Sequence, residues 1–400
     1  MSSDDQAPRS GRRSSQRSLR NNEALLDATV EIAATDGWAA LSFLAVSERA
    51  GLSRRTLQSR FGDPSHLMAA AWTERAWPAF HDLFERSLLT AGLLDGDADA
   101  QALGEILNEA ARPGQVLLAG SELMLVAQFD VPMKTALLQT LGDALQQWCV
   151  PNGRRVTRTL AAQRAYILGA TLGLVLFGRR PGIESYDMAV EARHIVPVLA
   201  APTKPARLPN SRMPHLDRDV PFSTGDSTTD ALLQSALDLV GTNGFDGTRT
   251  EAIARRAGVS EGALFARYSS KLELFRDAIT QQVAIAVRAN TEANGAIRAT
   301  HGWGIADAVM FREFMRPNRA HLRAITLEGI RVSWHYPDVM QATMSELDEF
   351  LAQAMEADPS RRATEYHFGY AQGTGILVLP LALESIYQLP YDVVSVPDLG

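Results

Sequence analysis

The chain has 400 residues, of which 46% are hydrophobic, a formal net charge of −7 and one cysteine. That length allows two to four domains with sizeable cores, while a lone thiol, Cys149, excludes an internal disulfide framework and fits a reducing cytoplasm. An acidic total argues against nucleic-acid binding over the whole surface, so any such contact must come from a local concentration of cations.

The first twenty residues, MSSDDQAPRSGRRSSQRSLR, carry Arg9, Arg12, Arg13, Arg17 and Arg20 and no apolar leader segment. Their composition predicts a disordered basic arm. Helical periodicity follows, with Leu25, Thr29 and Ile32 on one face. A short helix is then predicted from Phe43 to Ala50, a turn at Gly51, and a second helix from Ser53 to Phe61. Gly51 stands where the chain leaves a helix in a left-handed conformation, which glycine adopts without steric cost. Ser53 is placed to cap the next helix, Ala50 lets the two helices cross closely, and Val46 and Leu57 supply apolar anchors between them. The pattern is a helix-turn-helix, whose second helix enters the major groove of DNA.

Further on, the longest apolar run, Ala165 to Phe177, contains Gly169 and Gly173 and is too short for a membrane span; a buried helix is expected. A final helix of this half is expected between Ser185 and Leu199, limited by Pro197. Pro202, Pro205, Pro209, Pro214 and Pro221 then mark residues 201–227 as a semi-rigid linker.

After the linker the first pattern returns. Ala24 to Ala71 and Ala231 to Ala278 align without a gap, 207 positions apart, with 14 of 48 residues identical. Chance at ordinary residue frequencies gives about 3, so the chain reads as an internal duplication. Leu233, Leu237 and Val240 repeat the first face, Gly258 and Ser260 repeat the turn, and Ile253 and Leu264 repeat the anchors. Both copies are locally basic. Arg49, Arg54, Arg55 and Arg60 outnumber Glu48 in the first; Arg249, Arg255, Arg256, Arg267 and Lys271 outnumber Glu251 and Glu261 in the second. The duplication continues weakly, with helices opening after Pro113 and Pro317, and with Gly169 and Gly173 matched by Gly373 and Gly375. The second copy ends in YDVVSVPDLG, too short between Pro390 and Pro397 for a last helix.

The segments AGLSRRTLQSRFGDPSHLM and AGVSEGALFARYSSKLELF resemble the N-terminal three-helix domain of TetR/AcrR-type regulators, over some 50 residues in each copy. The resemblance implies an all-α fold of two tandem repeats, each a helix-turn-helix head on a helical effector and dimerisation domain. The expected layout is a basic arm over 1–20, a first head over 21–81, a first effector domain over 82–200, the linker over 201–227, a second head over 228–288 and a second effector domain over 289–400. The family's phosphate-binding tyrosine is replaced by Phe265 in the second copy and Gln58 in the first, and its lysine persists as Lys271 but becomes Pro64 in the first. Arg54 and Arg55 stand where the second copy has Glu261 and Gly262, so the two recognition helices are expected to read different half-sites. The expected DNA contacts are Ser42, Ser53, Arg54, Arg55, Thr56, Gln58 and Arg60 in the first copy, and Thr250, Ser260, Glu261, Gly262, Phe265, Arg267 and Lys271 in the second.

Trp72, Trp77, Phe80, Phe84, Leu125, Trp148 and Tyr166 are candidates to line an effector pocket in the first half. Phe314, Trp334, Tyr336 and Tyr366, with His321, His335 and His367, form a second aromatic set. Aromatic residues at helical spacing more often form plain core. No Gly-rich phosphate loop, nucleophile elbow or paired-carboxylate motif occurs, and His335 and His367 lack metal-ligand spacing. No catalysis, cofactor or metal is therefore expected. The sequence predicts a cytoplasmic DNA-binding regulator, a repressor released by a small-molecule effector, with no membrane partner. Its two halves would pair within one chain on an imperfect palindromic operator, further pairing of whole chains being left open. The rival expectation is a ligand-sensing or protein-interaction scaffold in which one helix-turn-helix no longer reads DNA.

Overall fold

The computed structural model of the chain describes residues 9–153, 155–180, 182–202, 208, 222–357 and 362–394. These are helical throughout, with no strand among the described residues. In order the helices are α1 Arg9–Thr35, α2 Phe43–Ala50, α3 Arg54–Phe61, α4 Pro64–Ala71, α5 Trp77–Thr90, α6 Ala100–Ala110, α7 Gln115–Val126, α8 Val131–Leu137, α9 Asp143–Cys149, α10 Arg158–Phe177 and α11 Ala189–Ala200. They continue as α12 Ser227–Gly247, α13 Thr250–Arg256, α14 Glu261–Phe265, α15 Lys271–His301, α16 Trp303–Phe314, α17 Ala320–Ser333, α18 Pro337–Ala357 and α19 Ala363–Val378. Most of the expected linker and residues 1–8 of the expected arm lie outside the described residues, and α1 takes in the arm from Arg9 onward.

The chain divides into two compact units, residues 1–81 with 114–140, and residues 82–113 with 141–400. In the first unit α1 packs along α7 and α2. The face read from periodicity is its core: Leu25 and Thr29 are fully buried and Ile32 nearly so. Gly37 (φ 80°, ψ 170°) breaks the chain away from α1, a conformation open to glycine and costly to other residues. α4 docks on α8, where the Ser65 hydroxyl donates to Asp130 at 2.6 Å. A π-helical turn, Trp72–Ala76, joins α4 to α5, and the Trp72 indole N–H donates to Thr140 at 2.8 Å.

In the second unit α12 to α15 surround a core of Leu233, Leu237, Val240, Ile253, Leu264 and Phe275, closed by Ile325 and Val332 of α17. Gly244 (φ 74°, ψ 165°) interrupts α12 at the position 207 residues after Gly37. The centre of this unit is the crossing of α10 and α19. A Cβ on Gly173 would lie 1.7 Å from the Ala371 carbonyl oxygen, and one on Gly375 only 1.9 Å from that of Gly169. Backbone contact at this range is open only to glycine. Gly373, matched with Gly375 to the first-half glycines in the sequence, faces the Phe311 ring instead, because it lies two residues before Gly375 and so about 200° around the helix.

Polar groups seal the rim of the crossing. Glu191 of α11 accepts both an N–H pair from Arg362 (3.2 and 3.0 Å) and the hydroxyl of Thr364, while the Tyr186 hydroxyl bonds His367 Nε2 at 2.8 Å. α10 is the one single helix among the described residues long and apolar enough to cross a membrane, and 83% of its most apolar window is buried within the protein.

Candidate nucleic-acid interface

Two helix-turn-helix segments are built by the same local chemistry. In the first, Ser42 caps α2 by accepting the Ala45 N–H at 3.1 Å, and Gly51 (φ 65°) turns the chain in the left-handed region. Ser53 then caps α3, accepting the Thr56 N–H at 3.3 Å. In the second, Gly258 (φ 72°) makes the turn and Ser260 accepts the Ala263 N–H at 3.1 Å. The anchors are buried in both, with Val46, Leu57 and Leu264 at 0% exposure and Ile253 at 1%. The helix that follows is capped in each case by a side chain 207 positions apart, Asp63 to the His66 N–H and Ser270 to the Glu273 N–H, both at 3.1 Å.

With Leu57 inward, α3 presents Arg54, Arg55 and Gln58 to solvent, and with Leu264 inward, α14 presents Glu261, Gly262 and Phe265 at the matching positions. Ser42, Ser53, Arg60, Ser260 and Arg267 are exposed as well, and Thr56, Thr250 and Lys271 are half-buried. Among the described residues neither Arg54 nor Arg55 has an ion-pair partner, so both guanidinium groups are free to meet an anion.

The cations of the second segment are largely occupied. Arg267 pairs with Asp226 at 2.8 Å and Arg256 with Asp238 at 2.5 Å. Asp226 also caps α12 through the Thr228 N–H, and the Arg267 hydrogen bond, aided by Thr229 and that N–H, holds its carboxyl well below the usual carboxylate range. The Lys271 ammonium donates to the carbonyls of Phe245 (2.8 Å) and Thr248 (3.0 Å) and sits 4.3 Å from the Phe245 ring centre. Burial pulls its pKa below the ordinary lysine value against the opposing fields of Asp246 and Glu328. Arg249 and Arg255 remain exposed and without an ion pair among the described residues.

Sequence reasoning missed two buried carboxylates that hold the turns preceding these segments. Glu122 accepts the Trp38 backbone N–H at 3.2 Å, and Glu328 accepts that of Phe245 at 2.6 Å. Both carboxylates are fully buried. Arg331 adds two hydrogen bonds of 2.8 Å to Glu328 and reaches Asp246 at 2.6 Å. An acidic residue inside an apolar helical stretch was the available signal.

The aromatic residues named for a first-half pocket are divided between the two units. Trp72, Phe80 and Leu125 of the first unit are fully buried, Trp72 with its ring centre 6.1 Å from Trp77 and 5.9 Å from Phe80. Phe84 of the second unit is fully buried, Trp148 is 6% exposed and Tyr166 is half-buried. A cavity of about 90 Å³ lies in the second unit between α15, α17 and α18, with Phe314 and Tyr370 completing its wall. Of the second aromatic set only Phe314 reaches it.

Two short helices crossed at a left-handed glycine, with a serine-capped and solvent-facing second member, have the geometry of a helix-turn-helix, whose second helix enters the DNA major groove in proteins that read it. Residues 232–278, from α12 into α15, match the family model for bacterial regulatory proteins of the tetR family. That match supports a TetR-family, DNA-binding transcriptional regulator. No curated protein is significantly similar to the chain.

Proposed function

We propose that the chain is a cytoplasmic, ligand-responsive transcriptional repressor in which two TetR-like repeats act as a single-chain pseudo-dimer on one imperfect palindrome. The observation that carries this reading is the α10–α19 crossing. Regulators of this type pair two chains through their last helices, and here Gly169 and Gly173 from one half meet Ala371 and Gly375 from the other within one chain. The recurring glycine turns, caps and buried carboxylates support two heads of like construction. Arg54 and Arg55 supply guanine or phosphate contacts, Gln58 an adenine-reading amide, and Arg249 and Arg255 phosphate contacts.

We place the effector in the cavity between α15, α17 and α18. At about 90 Å³ it has several times the ~10–15 Å³ that one water needs. The hydroxyls of Thr326, Ser333 and Thr343 donate to carbonyls of their own helices, which leaves Gln282 and Tyr370 as the polar side chains of the lining. The fitting ligand is small, neutral and mostly apolar, with one or two hydrogen-bonding groups. Gly329, Ile330 and Ser333 line the cavity from the helix whose Glu328 holds the turn before the second head. A ligand that favours a shifted α17 therefore shifts that head, provided it binds the shifted form more tightly.

The second reading is a scaffold in which the second segment has lost DNA recognition, favoured by the pairing of Arg256 and Arg267 with Asp238 and Asp226. Native mass spectrometry of the full chain on duplexes selected from a random pool tests the first reading. One chain per complete site is expected, with affinity falling linearly in log salt. Two chains per minimal site would overturn the pseudo-dimer, and a flat salt response would favour the scaffold.

A further inference from the structure

We infer that Phe265 is a specificity-determining residue that reads the C5 methyl group of thymine in the half-site under the second helix-turn-helix; this rests on the DNA-binding reading above. The ring is 51% exposed although it stands one residue after the fully buried Leu264, on a helix otherwise anchored to a dense core. An apolar side chain left in water forgoes much of the stabilisation that burial gives. Nothing beside it offers cover: Glu261 is charged, Gly262 has no side chain and Ala266 is small and exposed. Among the described residues the ring has no aromatic partner.

Position and chemistry narrow what the ring can meet. It occupies the exposed face of the recognition helix, in the register held by Gln58 in the first segment, and the missing Cβ at Gly262 opens the approach to it. The exposed cations Arg249 and Arg255, on the neighbouring helix and its cap, are suited to the phosphates that border a groove. Phenylalanine has neither donor nor acceptor for a phosphate or a base edge. The one apolar feature that the major groove displays is the thymine methyl group. Gln58 has the opposite character, a bidentate amide matched to adenine. The two half-sites thus differ by the kind of contact at one equivalent position.

The test uses the full chain and the duplexes enriched from a random pool. Each thymine is replaced in turn by deoxyuridine, which removes only the methyl group. One or two replacements are expected to weaken binding about four-fold, the equivalent of one buried methylene. Phe265→Ala should bind more weakly and respond to none of these replacements, Phe265→Leu should keep the response, and Gln58→Ala should keep it too. Thermal melts of the variants should match the parent, since the ring is exposed. A deoxyuridine series without effect on the parent, or with the same effect in Phe265→Ala, would overturn the inference while leaving DNA binding intact. Loss of self-association in Phe265→Ala with unchanged DNA affinity would also overturn it, assigning the ring to contact between chains. Failure to enrich or bind any duplex would overturn both this inference and the reading beneath it.

Discussion

The carboxylate of Glu328 accepts the backbone N–H of Phe245 at 2.6 Å, across 83 residues of sequence. Phe245 is the first residue after the left-handed Gly244, so its N–H is lost to the helix and would otherwise be buried without a partner. The same carboxylate takes two N–H groups from Arg331, itself only 3% exposed. A charge buried at 0% exposure is tolerable only with this full set of donors.

Removing that carboxylate should therefore be costly. Glu328→Leu is expected to lower unfolding free energy by about 3 kcal/mol, since it strands a buried guanidinium and a backbone donor together. Asp246 still pairs with Arg331, which keeps the loss at the lower end. Urea denaturation of the variant against the parent measures it. A change under about 0.5 kcal/mol, the range of ordinary surface substitutions, would show that the latch is not structural.

The α10–α19 crossing predicts opposite outcomes for two glycines of one helix. Gly375→Val should destabilise by about 3 kcal/mol or more, because its side chain meets the Gly169 carbonyl and the Gly173 nitrogen. Gly369, on the same helix, faces open space, so an added methyl group would meet no neighbouring element. Gly369→Ala should stabilise by up to about 1 kcal/mol through helix propensity alone. Equal melting-temperature shifts for both variants would contradict the close approach.

Arg54→Ala or Arg55→Ala should cost about 1–3 kcal/mol on one half-site and relax its sequence preference where the contact is bidentate to guanine. Neither change should move the melting temperature, as both side chains are exposed and unpaired. Lys271→Ala should behave differently. Its ammonium bonds two carbonyls, so about 1–3 kcal/mol of stability should be lost in the absence of DNA. Fluorescence anisotropy at several salt concentrations, beside thermal melts, separates the two kinds of effect.

His367 makes the rim of the crossing sensitive to acid. Its imidazole stacks 4.4 Å from the Tyr186 ring and bonds its hydroxyl, with Arg180 beside Nδ1 at 3.4 Å and Asp348 paired to that Arg180. Burial first, then the Arg180 charge, lower its pKa below the ordinary 6.5, against a smaller opposing pull from Asp348. The folded form thus binds fewer protons than the unfolded chain. The associated stability is present above pH 6.5 and is lost as pH falls through the depressed folded value. Between pH 7.5 and 5.5 the parent should lose more melting temperature than His367→Gln. A parallel loss in both would assign the acid sensitivity elsewhere.

The parts of the fold set by neighbours in sequence were legible in it. Gly51, Gly258, Ser53 and Ser260 act on residues one to three positions away, so their spacing alone places turn and cap. The second helices were legible for the same reason, with Arg54, Arg55, Gln58 and Phe265 exposed opposite Leu57 and Leu264. Contacts closed by long loops were not. Nothing near Asp226 announces that Arg267 lies across from it, and Lys271 reads as a free arm until the Phe245 and Thr248 carbonyls are seen beneath it. The cavity was unreadable because it is a gap left by packing among α15, α17 and α18, and no residue pattern encodes a gap. Gly373 shows the limit of counting small residues: it shares a helix with Gly375 but turns to Phe311.

The α10–α19 contact joins residues near 170 to residues near 373 of the same polypeptide. Its formation is unimolecular, so dilution does not weaken it, whereas a pair of separate chains dissociates as its copy number falls. A cell holding only a few molecules would keep every one of them assembled. On the pseudo-dimer reading proposed above, DNA occupancy would rise in simple proportion to protein concentration at low occupancy, without the second-order lag of a regulator that must first find its twin. A covalently joined pair is also released from symmetry: a substitution in one half is not copied into the other, so each half can change its chemistry alone.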